Sequence, residues 1–143
     1  MASATEHLVA AKAELNARCN TVEEAYEFML AYAGQGLSSE AGSAKGSQVR
    51  EFLRKAEAAL GSLTAFIEGF GKDVQDDALQ PYLAFMAVID RDARAARSAI
   101  NLVLAQNSIS SQLVDNLNAS THVRALLTDL FLIDEALKGH GGE

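Results

Sequence analysis

Chemistry in this chain could come from three histidines, one cysteine, pairs of arginines and a polar run near the C-terminus. The histidines, His7, His122 and His140, lie far apart, and no Glu-x-x-His occurs. A di-iron bundle needs a pair of such motifs plus further inward glutamates. A closed zinc site needs ligands in close-spaced pairs. Neither pattern is met, so no metal site and no cofactor is expected. Cys19 shares a helical stripe with Leu8, Ala11 and Leu15, where a thiol acts as a small hydrophobe. Gly34-Gln35-Gly36 follows a helix pattern and lacks the lysine of a phosphate loop. No catalytic residue is expected.

The run from Asn116 to His122 is different. It puts amides and hydroxyls where an apolar stripe should continue. Asn116, Asn118, Thr121, His122 and Arg124 are therefore the candidate ligand-binding residues. Converging on an interior cavity, they would make a small-molecule site or an enzyme centre. In outline the chain also resembles histidine phosphotransfer domains, which are acidic four-helix bundles with one exposed histidine on a long helix. That resemblance implies signalling by phosphoryl transfer through His122. The pattern departs from the family just after the histidine. A Lys or Arg is usual at i+3 and a small residue at i+4, whereas here Arg124 comes at i+2 and Ala125 and Leu126 fill those places.

Arg91 and Arg94 lie one turn apart, and Arg50 and Arg54 form a second helical pair. Converging guanidinium groups could clamp a carboxylate or phosphate. The acids interleaved with Arg91 and Arg94 point instead to a solvated face with intrahelical ion pairs. Glu23, Glu24 and Glu27 read as acids in the first turns of a second helix, where they suit the helix dipole. They also form a negative patch that a basic partner surface could use. Glu23, Glu24, Glu27, Arg91 and Arg94 are the candidate interaction residues. The net charge is −7 with no strongly basic block, which argues against nucleic acid and against an anionic membrane surface.

The elements that must position these groups are helices. The chain holds 26 Ala and 18 Leu but only 8 Val, 5 Ile and 1 Pro in its 143 residues, too few β-branched residues and turns for a sheet protein. Ser3-Ala4-Thr5-Glu6 reads as a capping box opening a helix to about Cys19. Thr21 to Glu24 reads as a second box, opening a short helix that ends at Gly34. Residues 34–46 are Gly/Ser-rich and read as a flexible loop. Ser47 is the expected cap of a third helix to about Phe70, with Gly61 inside it. A fourth is expected from Asp77 to Gln106, with Pro81 in its first turn. A fifth is expected from Ser108 or Ser110 to Lys138, followed by a short disordered tail at 139–143. The class is all-α: an antiparallel up-and-down bundle of four to five helices in one domain, 1–143, the first two helices sharing a position or forming an appended pair. The small residues Ala93, Ala95, Ala96 and Ala99 predict a close helix contact.

More apolar surface is present than one bundle core needs. Phe85, Val88 and Leu102 flank the fourth helix's seam, and Leu126, Leu130, Leu132 and Ile133 crowd the fifth. Surplus of this kind meets a partner or a second copy. The expectation is a non-enzymatic accessory, assembly or regulatory protein with a protein partner, forming a homodimer. No uncharged apolar stretch approaches the roughly 18 residues of a membrane span. A lone cysteine and no leader pattern in Met1–Ala10 place it in the cytoplasm.

Overall fold

The computed structural model describes residues 2–140. Among them are five α-helices and a short 3-10 turn, with no strand: α1 (Ala4–Gly34), α2 (Val49–Asp73), α3 (Gln80–Leu104), α4 (Ser111–Ala119) and α5 (Thr121–Leu137). Of the tail expected at 139–143, residues 141–143 lie outside the described residues. No helix among the described residues is long and apolar enough to cross a membrane.

The Ser3 box forms as expected: the Glu6 N–H donates to Ser3 Oγ at 3.1 Å, and the Ser3 N–H donates to the Glu6 carboxylate at 2.9 Å. The expected break at Asn20-Thr21 does not form, and α1 runs through it. Two physical reasons join the halves. The buried residues Leu8, Ala11 and Leu15 continue into Val22, Ala25, Met29 and Tyr32 at steps of three, four and seven, so one face stays in phase. The Thr21 hydroxyl bonds back to the Ala17 carbonyl at 3.4 Å, which satisfies it within the helix.

The division falls at the other end of the chain. The single last helix expected from the sequence is two, parted at Ser120, whose backbone is extended (φ −63, ψ 143). Ser120 Oγ accepts the Val123 N–H at 3.3 Å and starts α5. The polar run is thus partly a helix stop and restart. Ser47 is not the α2 cap either: its hydroxyl donates to the Ala44 carbonyl at 2.7 Å, and α2 starts after Gln48 without a side-chain cap. Pro81 does lie in the first turn of α3, after a 3-10 turn at Asp77–Leu79.

Four positions result, with α4 and α5 sharing the last. His7 meets Phe70 edge-on and Phe28 stacks on Phe52 at 4.2 Å, so α1 and α2 are antiparallel. Arg50 at the start of α2 reaches the Leu104 carbonyl at the end of α3. Tyr82 at the start of α3 meets His140 beyond α5. The ring closes where α4 packs chiefly on α1, and α5 on α3.

The Ala contact expected on α3 is there. Ala93 and Ala96 are wholly buried, and Ala96 meets Ala56 and Leu60 of α2 around a small void. The void beside Ala96 is about 20 Å³ and apolar, lined by Met29, Ala56, Leu60, Ile100 and Leu126 among others. Gly61 has a different use: a Cβ there would lie 3.0 Å from the Arg97 guanidinium carbon, so the glycine lets Arg97 cross α2 to pair with Glu57. Ala96→Leu needs far more room than the void offers and should lower stability by about 1–3 kcal/mol, read from urea denaturation; unchanged stability would mean that the seam is slack.

Candidate functional site

The candidate ligand residues do not converge. Asn116, Thr121, His122 and Arg124 are exposed, and only Asn118 is buried. His122 stands in the first turn of α5 rather than mid-helix, because Ser120 breaks the chain two residues earlier. Its neighbours Thr121 and Arg124 are polar and exposed, so it stands in no flat apolar patch. Asn116 accepts a hydrogen bond from Gln112 one turn back, at 3.0 Å. Thr121 and Arg124 line an open surface depression with Ala125, Thr128 and Asp129. Asn118 is 6% exposed, and neither atom of its amide has a hydrogen-bond partner. The void nearest the bundle centre is lined by apolar side chains and Tyr26. Among the described residues, no three His, Cys, Asp or Glu side chains gather as a metal ion would require.

The charged candidates resolve into local pairs and open surface. Arg94 bonds Asp90 one turn back and lies 4.0 Å from Glu68 of α2; Arg91 is exposed. Glu23, Glu24 and Glu27 sit in the middle of α1, since that helix does not restart at Thr21. The helix dipole therefore does not explain their placement, since they lie turns away from either terminus. Glu24 and Glu27 are exposed and Glu23 is half-buried beside Cys19. Burial pushes the Cys19 thiol up to about 12, and the Glu23 and Asp134 carboxylates push it the same way.

The most developed polar cluster joins residues the sequence did not bring together. Arg50 Nε and Nη2 donate to the two carboxylate oxygens of Glu40 at 2.8 and 3.0 Å. The same guanidinium donates to the Leu104 carbonyl at 2.9 Å and the Gln106 carbonyl at 2.7 Å. Glu40 also accepts the Ile109 N–H at 2.9 Å. Beside it, the Tyr32 hydroxyl donates to the Ile109 carbonyl at 2.6 Å, and the Ser111 hydroxyl donates to the Tyr32 carbonyl at 2.6 Å. The Leu37 N–H donates to Ser111 Oγ and the Ser111 N–H to the Leu37 carbonyl. Hydrogen bonding from Arg50 holds the Glu40 carboxyl below its usual range, against the opposing effect of burial. Arg50 is thus committed within the fold, and both it and Arg54 line an open concavity together with Glu40, Glu51 and Lys55. The sequence showed Arg50 and Glu40 only as charges ten residues apart. No local spacing rule pairs a loop acid with an arginine in the next helix.

The surplus apolar residues divide sharply. Leu126, Leu130 and Ile133 are buried, Phe85 and Val88 are half-buried, and Leu102 and Leu132 are 66% and 55% exposed. Phe131 reads as core from its place among the leucines, yet it is 59% exposed. It lies one step off the buried Leu130 and faces outward. Comparison of the chain with protein-family models, curated proteins and solved structures finds no match.

Cutting Glu40 back to alanine leaves Arg50 short of its carboxylate and Ile109 short of an acceptor, and should lower stability by about 1–3 kcal/mol at neutral pH. A carboxyl held low in the fold contributes above the ordinary carboxylate range and loses that contribution as pH falls. The variant should therefore lose less stability than the wild type between neutral and acid pH, measured by urea denaturation. Cys19 should react with iodoacetamide at pH 8 at least ~10-fold more slowly than a free thiol, because so little thiolate is present. Mass spectrometry follows the rate, and denaturant should restore it.

Proposed function

We propose that the chain is a non-enzymatic interaction protein, an accessory, assembly or regulatory bundle that works through the outer face of α5 and pairs with a second copy there. One observation carries the reading: Phe131 and Leu132, neighbours on α5, are each more than half exposed. Large apolar side chains side by side at a surface lose free energy when covered, about 25 cal/mol for each Å² removed from water.

Charge on the same face favours a second copy as the occupant. Arg124, Thr128, Phe131 and Glu135 follow one another at steps of four, three and four, all exposed, and so share a stripe about three turns long. A cation stands at one end, an anion at the other, and the aromatic ring lies between. Two such helices packed antiparallel about a two-fold axis set Arg124 of each against Glu135 of the other. Glu135 bonds Lys138 of its own chain at 3.0 Å, an exposed pair that is weak enough to exchange.

Light scattering over a concentration series tests this. The wild type should reach about twice the 15.2 kDa of one chain, and Phe131→Glu should stay at a single mass. Arg124→Glu should weaken association, and adding Glu135→Arg should restore it. A wild type that stays monomeric at the highest soluble concentration overturns the self-pairing.

A further inference from the structure

Among the described residues Asp129 is the one buried carboxylate: it is 9% exposed, and its Oδ2 is shut off from solvent with no hydrogen-bond partner. It stands on α5 among Leu126, Leu130 and Ile133, the residues that seat this helix. α5 packs on α3, whose half-buried Asp92 lies within hydrogen-bonding reach of the Asp129 carboxyl. Ionised carboxylates only accept hydrogen bonds, so two of them in contact need a proton between them. Among the described residues no lysine, arginine or histidine forms an ion pair with Asp129. Arg124 and Thr128 share the surface depression with Asp129, but the Thr128 hydroxyl is spent on the Arg124 carbonyl at 2.9 Å. From α1, Glu23 lies with Asp134 at Cys19. From α4, Asp115 is exposed. On α3, Arg94 is held by Asp90, and Arg91 is exposed.

We propose that Asp92 and Asp129 share one proton and act as a latch between α3 and α5, closed while the proton is held and open once it leaves to solvent. In the closed state one carboxyl donates its O–H and the other accepts. In the open state two negative charges face each other in a partly dry contact, with only the apolar side chains of α5 to hold the helix down. The response expected is local loosening of α5, the low-stability kind of opening, rather than global unfolding.

The direction in pH follows from the burial. Desolvation first, and then the bond to and charge of Asp92, push Asp129 up to about 7. A carboxyl raised in the fold binds its proton more tightly there than in the unfolded chain. It therefore adds stability at low pH and loses it as pH rises through about 7. This is opposite to Glu40, so the two groups can be told apart by the sign of their slopes. The inference does not depend on α5 pairing with a second copy.

Carbon-13 NMR of the Asp carboxyls in the wild-type chain tests it directly. Asp129 should titrate near neutrality, and a midpoint in the ordinary range of about 4 overturns the latch. Urea denaturation supplies the energetic arm. Between pH 5 and pH 8 the wild-type folded-to-unfolded ratio should fall on the order of tenfold to a hundredfold more than that of Asp129→Asn, which keeps the shape without the titration. Parallel pH profiles overturn the proposal. Should Asp129→Asn fail to fold, Asp92→Asn decides: the Asp129 midpoint should move down, and an unmoved midpoint overturns the sharing. Hydrogen exchange should quicken in α5 above pH 7 in the wild type, while α2 amides follow only the intrinsic rate.

Discussion

The end of α3 and the carboxylate of a loop residue, Glu40, meet on the guanidinium of Arg50. The carbonyls of Leu104 and Gln106, at and beyond the end of α3, lie where a helix runs out of partners for its last acceptors. Arg50 supplies donors to both and sets a positive charge at the negative end of the helix dipole. Its remaining edge holds Glu40, which in turn takes the Ile109 N–H. Lysine could not replace it, since an ammonium has no planar fork to grip a carboxylate along one edge and carbonyls along the other. With Ile109 and Ser111 anchored, Tyr32 and Leu37 bond to them. α4 therefore leaves from a set point, against the end of α1.

From that point the fourth position of the bundle is built in two lengths. α4 lies chiefly on α1 and α5 on α3, and a single straight rod would have to favour one neighbour. Ser120 ends the first helix and caps the second, so the direction changes without leaving an uncapped N-terminus. The break has a polar cost nearby, because the buried Asn118 amide has no hydrogen-bond partner among the described residues. The same packing that buries Leu126, Leu130 and Ile133 carries Asp129 inward with them, one residue before Leu130.

Much of the fold was legible from residue types. The Ser3 box, the Pro81 turn, the Ala93–Ala96 contact and the antiparallel helical class follow from signals that act within one or two turns. Where local signals mislead, a longer-range interaction wins. Asn20 and Thr21 look like a stop, but the seven-residue step from Leu15 to Val22 keeps the apolar face in phase, and packing outweighs a modest local preference. The last helix looks continuous because its leucines recur on both sides of Ser120. Glu23, Glu24 and Glu27 lost their dipole explanation when the start they were assigned to vanished. Phe131 looked like core by company, although a single residue of helix rotation turns it outward. Of the candidate site, the sequence marked the polar run correctly as a lapse in the apolar code, but could not say that the lapse was a corner instead of a pocket.

Sequence alone determined that this chain is helical, that one helix opens after Ser3, and where many of the apolar stripes run. Those outcomes rest on backbone preference, on caps reaching three residues, and on the periodicity of buried side chains. Only the tertiary structure decided that α1 is one helix and the last position two. It alone decided that Arg50 serves Glu40 and the end of α3, and that Asp129 of α5 is buried beside Leu130. Such partners stand far apart along the chain, as Arg50 and Leu104 do at a separation of 54 residues. Local rules carry no information at that distance. It enters only when the helices are stacked, because burial then demands a partner for every polar group left inside.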